Sequence, residues 1–238
     1  MNKNFIGVLV FTVCAATALF ISGVRAEDKS SKSGIQAEYV APGKSSPQKG
    51  AEDMSVETPG KFKIKAPDEH EVFVRGIASG VETVTYFMGM EMKTILVEKR
   101  SDGTRAYHSG KIDGTVEALI ISDGNGFNLV SPDGKPLWKI NVVPGLTKII
   151  DAANGKNVFE IREKKSDKIS ITGPGGKELG KLKFHADTRK IKVKDVSENE
   201  LYSCHSSTFM HAPAILLFTE IPETLRYVIL SELIARER

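Results

Sequence analysis

Cysteine is almost missing from this sequence. Of its two cysteines, Cys14 lies in an apolar N-terminal run and Cys204 is the only one beyond it. The body of the chain therefore has no internal disulfide framework and must be held by a hydrophobic core. A dominant charge is missing too, with 33 Lys and Arg against 30 Asp and Glu. That balance leaves no overall electrostatic footprint for nucleic acid. No Gly-x-Ser-x-Gly elbow and no His-Glu-x-x-His pair occurs, which removes the common signatures of serine hydrolases and zinc peptidases. One phosphate-loop spacing exists, from Gly175 to Gly180-Lys181, but Leu182 follows where a magnesium-binding hydroxyl is required.

The chain does have an address. A basic start at Lys3, an apolar run over 5–21, and small residues at Val24 and Ala26 before Glu27 match a secretory leader cleaved after Ala26. Processing as a lipoprotein at Cys14 is the alternative. It is weakened by the Phe11-Thr12-Val13 lead-in and by the position of Cys14 inside the apolar run. Cleavage would remove Lys3 and Arg25 and bring the basic residues to 31 against 30 acidic. Residues 27–60 are rich in Ser, Lys, Gly, Pro and Glu and carry few large apolar side chains. Such a stretch cannot offset its ordering entropy and reads as a disordered tether.

Order begins at about residue 61, and its strongest sign is a repeat. Over 127–182 a pattern recurs at a step of 21 residues, anchored on Gly134, Gly155 and Gly176. Each glycine follows a turn residue and precedes a lysine: Lys135, Lys156 and Lys177. Leu129, Ile150 and Ile171 stand five positions earlier, and Ile140, Ile161 and Leu182 six later. Asp-Gly, Asn-Gly and Gly-Gly accept positive φ, so each unit reads as two strands joined by a tight turn. Period-two alternation predicts earlier strands at 62–65, 71–77, 82–87, 92–99, 105–109 and 116–122, and a weaker hairpin at 189–202.

The C-terminal segment differs. From 213 to 236 it carries Ile215, Leu216, Leu217, Phe218, Ile221, Leu225, Tyr227, Val228, Ile229, Leu230, Leu233 and Ile234, which leaves almost no polar face on a helical wheel. A helix apolar nearly all round is a buried one. Glu220, Glu223, Arg226 and Glu232 argue against a membrane span, and Pro222 should kink the helix or begin its second half. The expected fold is mainly β: an antiparallel barrel of serial hairpins, about twelve strands, with a buried hydrophobic C-terminal helix. A hairpin solenoid capped by the helix is the alternative.

Serial hairpins, units such as Lys148-Ile-Ile-Asp151 followed by Asn154-Gly-Lys156 and Val158-Phe-Glu-Ile161, and a closing apolar helix resemble the tubby C-terminal-like superfamily. That group includes the LURP-one-related and phospholipid scramblase proteins. The resemblance covers residues 62–238 and implies a barrel whose core is the closing helix. It also implies lipid association, although no stretch of this chain matches the family's headgroup- or metal-binding motifs.

Three sets of residues carry candidate chemistry. Cys204, His205, Met210 and His211 offer soft ligands suited to copper or zinc, yet lack the spacing of a ligand pair; Cys204 and Met210 serve equally as core filler. Cys204 with His205 or His211 as base would make a thiol enzyme, but neighbours on a strand point to opposite faces. Lys135, Lys156 and Lys177 should line one end of the β body, where they can meet anionic lipid or simply keep the edge solvated. The sequence therefore points to an exported, non-catalytic binding or scaffold domain of the cell envelope, needing no cofactor. Its expected partner is an anionic lipid surface or an envelope protein, not nucleic acid.

Overall fold

The structure is a computed structural model and describes residues 61–88 and 90–237. The leader over 1–26 and the tether over 27–60 lie outside the described residues. Among the described residues fourteen strands, two more than the expected dozen, pair in strict chain order. They are β1 (Phe62–Lys65), β2 (Glu71–Ala78), β3 (Val81–Met88), β4 (Glu91–Lys99), β5 (Arg105–Ser109), β6 (Val116–Asp123) and β7 (Gly126–Val130). The series continues with β8 (Pro136–Val143), β9 (Leu146–Asp151), β10 (Asn157–Lys165), β11 (Lys168–Thr172), β12 (Glu178–His185), β13 (Lys190–Asp195) and β14 (Glu200–His205). β1 then pairs with β14, Ile64 opposite Cys204, and the sheet closes into an antiparallel barrel. Closure excludes the solenoid.

Turns after odd-numbered strands gather at one end of the barrel and turns after even-numbered strands at the other, because direction alternates. The three repeat turns therefore share the odd-turn end, and Gly134, Gly155 and Gly176 all have positive φ. The repeat is not uniform in space, however. The first and third turns close between Ser131 and Lys135 and between Gly173 and Lys177, whereas the second closes between Asp151 and Lys156 and holds one more residue. A one-residue slip exchanges the faces of a strand. So Leu129 and Ile171 are fully buried, but on β9 the buried residue is Ile149, and Ile150, the expected core position, is only half-buried.

A barrel of this many strands is wider than strand side chains alone can fill. The chain fills it with its own C-terminal segment. The helical segment expected over 213–236 is in two pieces: a 3₁₀ helix, Ala212–Leu217, is followed by a break and then α1, Glu223–Glu237, which begins directly after Pro222 as the sequence indicated. Pro222 lacks the N–H that a continuous helix would need and sits instead immediately before α1, where its carbonyl accepts from Arg226 N–H.

The two pieces form a hairpin. His211 Nδ1 lies 3.2 Å from Thr147 Oγ1 near the even-turn end, and Phe218 stacks on Phe159 at 4.3 Å toward the odd-turn end. α1 then runs back. Thr224 Oγ1 lies 3.0 Å from the Tyr86 hydroxyl late in β3, and Arg236 donates to Ser122 Oγ late in β6. Eight successive α1 residues, Tyr227 to Ile234, are buried, which requires cover on every side. Tyr227 stacks on Tyr86 at 4.3 Å and Arg236 lies over the Phe127 ring at 5.0 Å. These side chains share one core with the inward-facing strand residues, so folding of the wall and docking of the plug bury the same apolar surface.

Gly180 shows how close that packing is. Its φ is +156°, and a Cβ there would lie 2.1 Å from the Lys194 carbonyl oxygen and 2.9 Å from Leu217 Cδ1. The glycine allows β12, β13 and the 3₁₀ helix to meet at one point.

Candidate binding surface

The four candidate metal ligands are not brought together. Cys204 is inward-facing and buried in the core, next to Ile64 and Ile191 across the ladders, while its neighbour His205 is exposed on the outer face. Met210 is buried in the core, and His211 reaches β9, five strands from β14 around the barrel. Burial lowers the His211 pKa. Among the described residues no group of three or more His, Cys, Asp and Glu side chains is arranged to hold a metal ion. The same alternation separates Cys204 from His205 as a nucleophile and base.

Lys135, Lys156 and Lys177 are exposed at one end, as the repeat demands. That end is mixed in charge. Asp133 lies beside Lys135 in its turn and Glu178 follows Lys177. Lys111 pairs with Asp113, Lys93 pairs with Glu91, and Asp68, Glu69 and Glu220 are exposed there as well.

The concentrated positive charge lies on the wall, in a place that the turn pattern did not reveal. On β11, β12 and β13 the inward positions include Ile169, Ile171, Gly180, Leu182, Ile191 and Val193, all buried, and Phe184, half-buried against the core. Alternation therefore sends Lys168, Lys181, Lys183, Lys190, Lys192 and Lys194 outward. Register then aligns them: Lys168 stands opposite Lys183, Lys183 opposite Lys192, and Lys181 opposite Lys194. Beyond β14 the row reaches Lys65 on β1 through Ser203. Adjacent strands put these positions about 4.8 Å apart and alternate residues along a strand about 6.7 Å apart. The visible signal was the period-two lysine in Lys181-Leu-Lys183 and Lys190-Ile-Lys-Val-Lys194, but only the pairing register shows that the rows coincide.

Two carboxylates partly neutralise this grid. Glu198, in the β13–β14 turn, pairs with Lys181 and lies 3.7 Å from Lys183 and 3.8 Å from Lys194. Glu200 lies 2.8 Å from Lys192 and 3.7 Å from Lys190. Burial first, and then the neighbouring ammonium groups of Lys183, Lys168 and Lys194, hold the Lys181 pKa below the ordinary lysine value.

A second polar group sits inside the even-turn end. Glu232 of α1 is buried; it accepts from the Tyr107 hydroxyl at 3.0 Å and from Arg236 at 3.0 Å, and Arg105 Nε approaches it at 3.2 Å. Arg105 and Arg75 both reach Glu82, at 2.6 and 2.7 Å. Burial pushes the Tyr107 pKa far up, so the phenol stays a donor. These contacts tie α1 to β2, β3 and β5, although Arg105 Nε meets Glu232 as an ion pair without a hydrogen bond.

No family model, no curated protein and no solved structure matches this chain. Among the described residues no helix is long and apolar enough to cross a membrane.

Proposed function

We propose that this chain is an exported, non-catalytic binding domain that works from its outer wall on an anionic surface of the cell envelope. The observation that carries this reading is the register of the wall lysines. Like charges directly opposite one another in a ladder destabilise a sheet, and the hairpins need no lysine at those positions. The tubby-like resemblance belongs to the same proposal, since it pairs a barrel closed by a C-terminal helix with association at lipid surfaces.

Vesicle co-sedimentation tests it. The protein is expected to pellet with phosphatidylcholine vesicles containing phosphatidylglycerol, not with phosphatidylcholine alone, and to be released at about 0.5 M salt, where screening lengths shrink to a few ångströms. Equal binding to both vesicles, or anionic binding that survives the salt, would overturn the reading.

A further inference from the structure

The wall of β11, β12 and β13 has a shape as well as a sign. On the outside of a closed barrel Lys168, Lys183 and Lys192 stand side by side on successive strands, spread along a row and not gathered around a cleft. A convex wall also touches a flat bilayer only along a narrow strip. What the grid does match is a chain that can bend around it and carries one negative charge every few ångströms, since the lysine positions repeat at about 4.8 Å across strands and about 6.7 Å along them. The outward positions on these strands are Lys, Ser, Thr, Leu179, Glu178 and His185, with no Phe, Tyr or Trp. Single-stranded nucleic acid is normally held by stacking bases on aromatic side chains, and that platform is missing.

We infer that the lysine grid of β11, β12 and β13 is the docking face for an extended anionic polysaccharide, one bearing a carboxylate or sulfate on successive sugars. The inference rests on the reading that the outer wall is the working surface, and it names the ligand of that surface. Glu198 and Glu200 act as internal competitors. Between them they occupy five of the six wall lysines, and an arriving polymer exchanges its own anions for theirs.

Binding to polygalacturonate is measured by calorimetry or interferometry, with neutral dextran, galacturonate monomer, oligo(dT) and phosphatidylglycerol vesicles as the other arms. Polygalacturonate is expected to bind most tightly, and dextran and the monomer not at all, because many weak contacts act together only on a polymer. The double variant Lys183→Gln/Lys192→Gln should weaken binding about tenfold and reduce the slope of log K against log salt by about 1.4, at roughly 0.7 per charge removed. Glu198→Gln/Glu200→Gln should tighten it, an outcome that a purely structural role for these carboxylates would not produce.

Melting of the unliganded lysine variant reports its folding independently. Its midpoint should stay close to that of the parent, since relief of like-charge opposition offsets the loss of the exposed pairs to Glu198 and Glu200. Unchanged polygalacturonate binding in the lysine variant, tighter binding to oligo(dT) or to vesicles, or binding to neutral dextran would each overturn the inference. Vesicle binding without polysaccharide binding would overturn this inference alone and leave the broader reading standing.

Discussion

Glu237, the last described residue of α1, accepts hydrogen bonds from the backbone N–H groups of His211 and Ala212 at 2.9 and 3.1 Å. It thereby joins the end of the helical plug to its beginning. Burial pushes the Glu237 pKa up to about 7, against those two bonds, which act to lower it. A carboxyl whose pKa is raised in the folded state stabilises the fold fully below about pH 4.5, and that contribution is lost as pH rises through about 7. Over the whole range it amounts to about 3 kcal/mol.

His211 opposes it. Its pKa is lowered by burial, so its contribution is present above about pH 6.5 and is lost as pH falls through its folded value. Thermal unfolding from pH 5 to 8 should therefore vary less in the parent than in either single variant. Glu237→Gln should lose stability on acidification, and His211→Asn should lose it on going from pH 5 to pH 8. Parallel curves for all three proteins would show that the latch does not titrate.

The Glu232 cluster predicts a large stability effect. Glu232→Ala leaves Arg105 with Glu82 alone and Arg236 with Ser122, and removes the acceptor for Tyr107, so it should cost at least about 3 kcal/mol in chemical denaturation. Tyr107→Phe removes one bond to a charged group and should cost about 1.5–3 kcal/mol. A Glu232→Ala effect below that of Tyr107→Phe would contradict the arrangement.

Gly180→Ala should destabilise by about 2–4 kcal/mol, since a methyl group meets the Lys194 carbonyl at 2.1 Å in a backbone conformation that side chains rarely adopt. The control is Gly134→Ala, where φ is also positive but no atom lies within 4 Å of the added carbon. It should cost about 1 kcal/mol, from the backbone alone. Equal losses at the two sites would mean that β12, β13 and the 3₁₀ helix can separate without penalty.

The turn lysines and the wall lysines make separable predictions. Lys135→Glu/Lys156→Glu/Lys177→Glu changes an end already mixed in charge, and should reduce pelleting with phosphatidylglycerol vesicles less than Lys183→Glu/Lys192→Glu does. The reverse order would return the working surface to the odd-turn end.

Hairpins, turns and strand faces were legible in the sequence because they are local. A glycine at positive φ, a lysine after it and apolar residues at period two act within a few positions, and Phe62–Lys65 and Arg105–Ser109 were recovered to the residue. The apolar character of the tail was also legible, since so few of its positions are polar. Three features were decided only by tertiary structure. The extra residue in the Asp151–Lys156 turn moved the β9 core position from Ile150 to Ile149, a shift too small to disturb a 21-residue repeat but enough to exchange two faces. Pro222 marked the break in the tail, but the folding-back of its two pieces into a hairpin depended on a barrel deep enough to receive it, which fourteen strands together create. The lysine grid depended on register between strands. Each row is visible in the sequence as an ordinary solvated strand face, and its charge density arises only when Lys168, Lys183 and Lys192 are brought side by side by pairing across two turns, because cross-strand contact is a property of the sheet and not of any one strand.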